Sequence, residues 1–442
     1  MHTLTQELPF RDEERADANL TRLSAEMPAG AMHRVGLLLA GSANPDQALH
    51  YLARLHEERP AAFQRLSRSP AGLQYLIAVF AASNFLSEAI LQRPEWIEQL
   101  PSSGDLYRSL SAEEMRLRLE TALLPEGLGA PRALTLSLFR RQQILRILIR
   151  DLLGFGAFSE ITGELSALAD AILDVTYRRI HSELAGRYGE PQVLDENGAK
   201  GPCEFSVLGL GKLGGNELNY SSDIDLMFLY SGTGKTGGPE VITNREFYGK
   251  VANHLTDLLS TYTTEGKCYR VDLRLRPEGR LGEVCISVEG ARNYYQNRAR
   301  DWELQMLIKA RVCAGELGPG QEILEFVQPL IYTSSLDFSA IESVSETRAR
   351  INEKLSAKRG KSGGLDIKLT EGGIRDIEFL VQCLQRLHGG RDFWIQHPGS
   401  LLALRRLHDK ELLSDTEYSK LAGAYQFLRT LEHRLQVDED RQ

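Results

Sequence analysis

The stretch Asp223-Ile-Asp-Leu-Met-Phe-Leu-Tyr230 constrains this chain more than any other. It reads as a strand, and side chains two apart on a strand share a face. Asp223 and Asp225 therefore project together, while Ile224, Leu226 and Phe228 enter a core. Upstream, Glu204-Phe-Ser-Val-Leu-Gly-Leu210 is a short apolar run ending in glycines, as a buried strand requires. Cys268-Tyr-Arg-Val-Asp-Leu-Arg-Leu-Arg276 predicts a third strand, stopped by Pro277, with Glu283 to Val288 able to pair back onto it. A helix from about Asn244 to Thr264 joins the second and third. Residues from about 200 to 290 thus read as a small α/β unit.

The rest of the chain is helical in pattern. From Met32 to about Tyr188, apolar residues recur three and four apart, as in Leu134 to Arg150, where the arginines fill the remaining face. Its charged residues read as solvated helix faces. Breaks at Pro60, Pro70, Pro94, Pro101 and Pro125–Pro131 divide this region into several helices. After the α/β unit the pattern predicts a long helix over Glu289–Ala314, then helices at Gln321–Tyr332 and Phe338–Lys358. A glycine-rich segment, Lys361–Gly373, leads into a helix at Ile374–Leu387, and another runs from Thr416 to about Gln436. The expected fold class is α+β and mostly α-helical. The expected domains are an N-terminal helical region over 1–195, an α/β core over 196–315 and a C-terminal helical domain over 316–442. The last helical pattern is still running near Gln442, so the chain is expected to be the front portion of something longer.

Two carboxylates on one strand face repel, and each raises the other's pKa unless a cation lies between them. The economical reason to build the pair is a divalent metal, and hard oxygen ligands suit magnesium. The third strand extends the logic, placing Asp272, Arg274 and Arg276 on one face. An acid to complete a metal site and two guanidiniums to neutralise phosphate oxygens are what metal-assisted phosphoryl transfer needs. Gly209-Leu-Gly-Lys-Leu-Gly-Gly215 ends a strand and opens a helix, so its N–H groups can cradle phosphate. The bland alternatives are a polar strand start for the aspartates and surface ion pairs for the arginines.

Other chemistries fit poorly. Gly209, Gly211 and Gly214 match the dinucleotide fingerprint, but only eight residues separate Gly214 from Asp223, and the acids open the second strand instead of ending it. Gly232-Thr-Gly-Lys-Thr236 lacks the first glycine of a phosphate loop, that position being Leu229. The ten histidines form no H-E-x-x-H, and His408-Asp409 stands alone. The five cysteines, Cys203, Cys268, Cys285, Cys313 and Cys383, are scattered without a CxxC pair, which fits a reducing cytosol better than a disulfide framework. A net charge of −8 argues against a chain that coats nucleic acid. With no apolar run of spanning length and no signal-peptide pattern, no membrane role is expected, and the expected location is the cytoplasm.

The string from Gly209 to Phe228 resembles the DNA polymerase β-type nucleotidyltransferase signature, in which a glycine turn precedes D-x-D. More narrowly it is similar to the bifunctional glutamine synthetase adenylyltransferase/adenylyl-removing enzymes of bacteria. Val271-Asp-Leu-Arg-Leu-Arg-Pro-Glu-Gly279, Arg300-Asp-Trp-Glu303, Lys309-Ala-Arg311 and Gly372-Gly-Ile-Arg-Asp-Ile-Glu-Phe379 match further blocks in the same order. Members carry two such halves, of which this chain shows one. Glu217-Leu-Asn-Tyr-Ser-Ser222 and Arg300-Asp-Trp-Glu303 resemble the N-terminal, adenylyl-removing half.

The resemblance implies a polymerase β-like core and a reaction in which phosphate attacks adenylyl-tyrosine on glutamine synthetase, releasing ADP and free tyrosine. The alternative direction adds AMP from ATP to that tyrosine, and a different class of reading is a non-catalytic copy that senses nucleotide. By motif position Asp223, Asp225 and Asp272 are expected to be catalytic and to hold Mg2+, with Mn2+ an alternative. Gly211, Lys212, Ser221, Ser222, Arg274 and Arg276 are expected to bind phosphate or nucleotide. Lys309 and Arg311 stay open among phosphate binding, a domain contact and surface charge. A PII-type signal protein is the expected regulator of the whole enzyme.

Overall fold

Helix starts in the first hundred residues are written locally. Pro45, Pro60 and Pro70 open the helices Pro45–Glu58, Pro60–Arg68 and Pro70–Ala82, where the missing proline N–H costs nothing. Asn44 and Ser69 cap the first and third by accepting from the N–H groups of Gln47 and Gly72. Buried Leu49, Leu52, Leu73, Leu76 and Phe80 lie on the packed faces of these two helices. The computed structural model describes residues 10–194, 198–332 and 366–439. Two units are distinct: Met1–Ser111, Phe139–Leu165 and Arg434–Gln442 make the first, Ala112–Leu138 and Ser166–His433 the second.

The helix Ala133–Leu152 corrects one expectation. Its arginines are not on a solvated face: Arg146 and Arg150 are 3% and 1% exposed. Both bind the equally buried Glu164, from the helix Phe158–Tyr188. The same carboxylate accepts from the Leu110 N–H at 2.7 Å. Burying a guanidinium is tolerable only with such a partner, and this partner comes from another helix.

The second unit holds two small sheets. Strands β1 (Pro191–Leu194), β2 (Lys200–Pro202), β3 (Phe205–Leu210), β4 (Ile224–Tyr230), β5 (Gly234–Thr236), β6 (Val271–Asp272), β7 (Cys285–Ser287) and β8 (Arg311–Gly315) follow in sequence. One sheet has the order β2-β1-β5, and the other the order β6-β4-β3-β8, with β7 also paired to β4. β3 and β4 are antiparallel, with Leu208 opposite Met227 and Leu210 opposite Asp225. Their alternate residues serve two buried faces. Leu208, Leu210, Met227 and Leu229 join Tyr294, Tyr295, Ile323 and Val327, from the helices Val288–Asn297 and Leu317–Ile331. On the other face the Phe205 ring stacks against Tyr177, Tyr248 and Phe228, with ring centres 4.9, 5.1 and 5.9 Å away. Tyr248 belongs to the helix Asn244–Ser260, which opens with a Thr243–Glu246 capping box. A further apolar cluster gathers Ile374, Ile377, Val381, Leu404, Leu407 and Tyr425, from the helices Ile374–His388, Ser400–Asp409 and Asp415–Glu439. The fold is α+β and mostly helical, as expected.

Three local expectations are corrected. The predicted helix over Glu289–Ala314 breaks after Asn297, restarts over Asp301–Met306, where Glu303 accepts from the Arg300 N–H, and gives way to β8. Arg311–Gly315 is claimed by the open edge of β3, a tertiary pairing that outweighs local propensity. The third strand shortens to Val271–Asp272, because the chain turns over Leu273–Arg276. Cys285–Ser287 pairs with β4 instead of folding back on that strand. The predicted helix over Phe338–Lys358 lies outside the described residues.

Candidate active site

β4 and β6 run parallel, and their register sets Ile224 beside Val271 and Asp225 beside Asp272. Asp223 lies one residue before β4, on the same side as Asp225. Three carboxylates are thereby collected from two strand ends. An open cleft of about 400 Å³ is lined by two of them, Asp223 and Asp272, with Arg270, Arg274, Arg276, Arg280 and, from the helix Asn244–Ser260, Thr256; Asp225 lies behind its wall.

The three acids have different partners. Asp223 accepts from the Arg270 guanidinium, which also reaches the carbonyl and hydroxyl of Ser221. Asp272 accepts from the Arg274 N–H at 2.8 Å and from its Nε at 2.8 and 3.0 Å. Burial raises the Asp272 carboxyl, but these bonds outweigh burial and hold it below its ordinary value. Asp225 is pushed up to about 7, by burial first and then by the charges of Asp272 and Asp223, against weaker help from Lys368 and Arg274. A cation beside it would favour its ionised form.

The glycine turn meets this acid directly. Gly211 has φ +55°, and a Cβ there would lie 2.8 Å from the Asp225 Oδ2, so both backbone and space demand glycine. At Gly214 a Cβ would fall 1.5 Å from the Lys309 carbonyl oxygen, which fixes how closely the turn packs. The helix the turn opens, Gly211–Gly214, is only four residues long. The Ser222 hydroxyl accepts from the Asn219 N–H at 3.2 Å, within the turn that leads to Asp223.

Several expected site residues have other partners. The Lys212 amine donates to Glu432 at 2.6 Å and is absent from the cleft wall. Arg276 lines the cleft, yet its guanidinium donates to the carbonyls of Leu273, Gly282 and Glu283 at 2.7–3.4 Å. Lys309 is buried between Glu217 at 3.1 Å and Glu378 at 2.8 Å. Arg311 grips both oxygens of Asp170, at 2.7 and 2.9 Å, and donates to the Leu213 carbonyl. The geometry of these last two, whose roles stood open, is that of structural cations.

Sequence reading missed Arg270, Arg280, Thr256 and Lys368. Arg270 stands two residues before Asp272 and was legible once β6 was placed, since its side of the strand is that of Asp272. Glu432 carried no local signal, as its partners lie some two hundred positions earlier.

Among the described residues no three metal-ligating side chains form a ready-made cage. Magnesium does not need one: it is held by one or two carboxylates together with water and substrate phosphate. The Asp225 carboxylate, which accepts no hydrogen bond from a described residue, and that of part-exposed Asp223 fit that role in donor chemistry.

Clustered carboxylates beside a guanidinium-lined cleft are the kind of groups that metal-assisted phosphoryl transfer uses. Residues 73–326 match the family model described as glutamate-ammonia ligase adenylyltransferase. The chain belongs to that family. Residues 345–442 match a model described as GlnD PII-uridylyltransferase. Curated relatives include proteins named bifunctional glutamine synthetase adenylyltransferase/adenylyl-removing enzyme. The one from Thioalkalivibrio sulfidiphilus is 38% identical over 83% of this chain and 37% of its own length. The one from Nitrosococcus oceani is 35% identical over 93% of this chain and 41% of its own. The chain thus spans about two fifths of the length of these relatives.

Proposed function

We propose that this chain removes AMP from a protein tyrosine by phosphorolysis, the protein being glutamine synthetase. An oxygen of inorganic phosphate attacks the AMP phosphorus, the bond from that phosphorus to the tyrosine oxygen breaks, and ADP leaves. The tyrosine oxygen takes up a proton. The observation that carries the proposal is the charge of the cleft wall, where four guanidiniums stand against two carboxylates. Two anions, phosphate and the AMP phosphodiester, must meet there, and surplus positive charge lowers their mutual repulsion. Phosphate is already a nucleophile, so the site needs alignment more than a strong base.

Arg274 and Arg280 are the guanidiniums best placed to receive phosphate oxygens. Arg274 is 63% exposed and bound to Asp272, so a phosphate could share it without a burial penalty. Arg270 holds Asp223 and the Ser221 carbonyl together, fixing the direction of the first carboxylate. Asp223 and Asp225 would hold magnesium or manganese, with Asp272 as third acid. The metal would supply charge neutralisation on the phosphoryl oxygens. Gly211 brings the turn against Asp225, and Ser221 and Ser222 close it. The same proposal places the chain in the cytoplasm, takes ADP or ATP as its nucleotides and a PII-type protein as regulator of the longer enzyme. The names of the relatives support glutamine synthetase as the substrate, and the match of residues 345–442 supports the PII-type regulator. No helix among the described residues is long and apolar enough to cross a membrane.

The direction is tested by mixing the chain and magnesium with adenylylated synthetase plus phosphate, or with bare synthetase plus ATP. ADP release in the first mixture is expected. AMP incorporation in the second, with no ADP in the first, would favour the adenylyltransferase reading instead.

A further inference from the structure

One carboxylate of the helix Asp415–Glu439 holds both ends of the turn that precedes Asp223. Glu432 Oε1 accepts from the Lys212 amine at 2.6 Å, and Glu432 Oε2 accepts from the Asn219 side-chain amide at 2.8 Å. Arg429, fully buried, donates to Asn219 Oδ1 at 3.1 Å, to the Glu217 carbonyl, and to Glu432 at 3.2 Å. Tyr425 donates to Glu378 at 2.9 Å, and the ring of His433 stacks on Tyr220 at 4.3 Å. Residues 425, 429, 432 and 433 are spaced four, three and one apart, so they lie along one helix face. That face is polar, buried and turned onto residues 212–220. Asp225 meets Gly211 at one end of this turn, and the Arg270 bond to Ser221 and Asp223 closes the other.

We infer that Glu432 is a positioning residue for the active site, acting through Lys212 and Asn219 to hold the turn against the carboxylates, and that Lys212 serves this strap and does not bind phosphate. The inference rests on the cleft being a nucleotidyltransferase site but not on the direction of transfer. A strap of this kind acts on alignment. Small displacements of reacting groups by residues remote from the chemistry cost up to about 100-fold in rate.

The test is a double-mutant cycle of Glu432→Gln and Lys212→Ala in the full chain, read on whichever reaction the wild type performs. Each single variant is expected to lower kcat by on the order of 100-fold with KM for phosphate little changed, and the double variant to be no worse than either. Lys212→Arg, which keeps the charge and the donor, is expected to recover most of the rate. Losses that multiply in the double variant overturn the inference, as does a Lys212→Ala defect confined to KM for phosphate, or full activity in Glu432→Gln. Circular dichroism and thermal melting check that each variant folds. Should Glu432→Gln unfold, Glu432→Asp, which keeps the charge but shortens the reach, takes its place in the cycle. Unfolding of both makes Glu432 a folding residue and overturns the inference. A wild type inactive in both directions speaks against the proposed function, whereas an active wild type without coupling speaks against the strap alone.

Discussion

Two groups of charged residues meet the turn before Asp223, and they differ in burial. The cleft group, Asp223 with Arg270 and Asp272 with Arg274, keeps its arginines part-exposed. The group behind the turn, Lys212, Glu432, Arg429, Glu217, Lys309 and Glu378, is mostly shut from water. Exposed pairs contribute little to stability, so they can exchange partners with a substrate at small cost. Buried pairs cannot exchange, because removing one member strands the other in low dielectric. On the proposed function, the cleft group serves chemistry and the buried group position. A third set, Arg146 and Arg150 around Glu164, belongs to the first unit and offers a control from outside the unit that holds the cleft.

The largest effect expected is on turnover. Asp225→Asn should lower activity by at least roughly 10³-fold, since charge stabilisation by a bound metal is worth several kcal/mol, at about 1.4 kcal/mol per decade. Without added metal, the same variant should melt no lower than the wild type. The Asp225 carboxyl is held up at about 7, so its ionised form disfavours folding at neutral pH, and a neutral amide relieves that strain. Full activity in this variant would remove the functional distinction between the two groups.

Glu164→Gln should show the reverse pattern. Two buried guanidiniums lose their charge partner, at a cost of about 3–5 kcal/mol in a denaturant titration. The rate per folded molecule should stay at the wild-type value, and a rate defect would tie the first unit to catalysis.

Acid titration sharpens the contrast for the buried group. Burial pushes the Glu378 carboxyl up, but Lys309 and Arg429, with hydrogen bonds from Lys309 and Tyr425, outweigh it and hold the group at about 2. A folded value below the unfolded one contributes stability that is present above about pH 4.5 and lost as pH falls toward 2. The contribution is on the order of 3 kcal/mol. Glu378→Gln should flatten the stability–pH curve across that window, and an unchanged slope would mean that the pair is not coupled to folding. The smallest effect is at the exposed end of the cleft. Arg274→Gln should raise KM for phosphate by about tenfold, as expected for one charge-assisted hydrogen bond, with little change in melting.

Legibility in the sequence followed the range of the interactions. Asp223 and Asp225 were visible because strand alternation is local, and Gly211 because glycines at a strand end mark the turn out of it, although its positive φ appears only in the structure. Arg270 was in view but without meaning until the parallel register set Val271 beside Ile224. β8 was hidden because Lys309-Ala-Arg-Val-Cys-Ala314 continues a helical pattern, and only the open edge of β3 extends it. The burial of Arg146 and Arg150 depends on a carboxylate in the next helix, and that of Lys212 on one near the end of the chain. Helical periodicity reports which face is polar, not whether that face meets water or another charge.

Direct evidence on the central claim comes from following the phosphorus. The chain, magnesium and adenylylated glutamine synthetase are incubated with isotopically labelled inorganic phosphate, and the nucleotide product is separated. Attack by phosphate predicts that the label appears in the β position of ADP, and that Asp223→Asn and Asp225→Asn abolish it. Release of unlabelled AMP, or labelled ADP formed equally by the two variants, would contradict it.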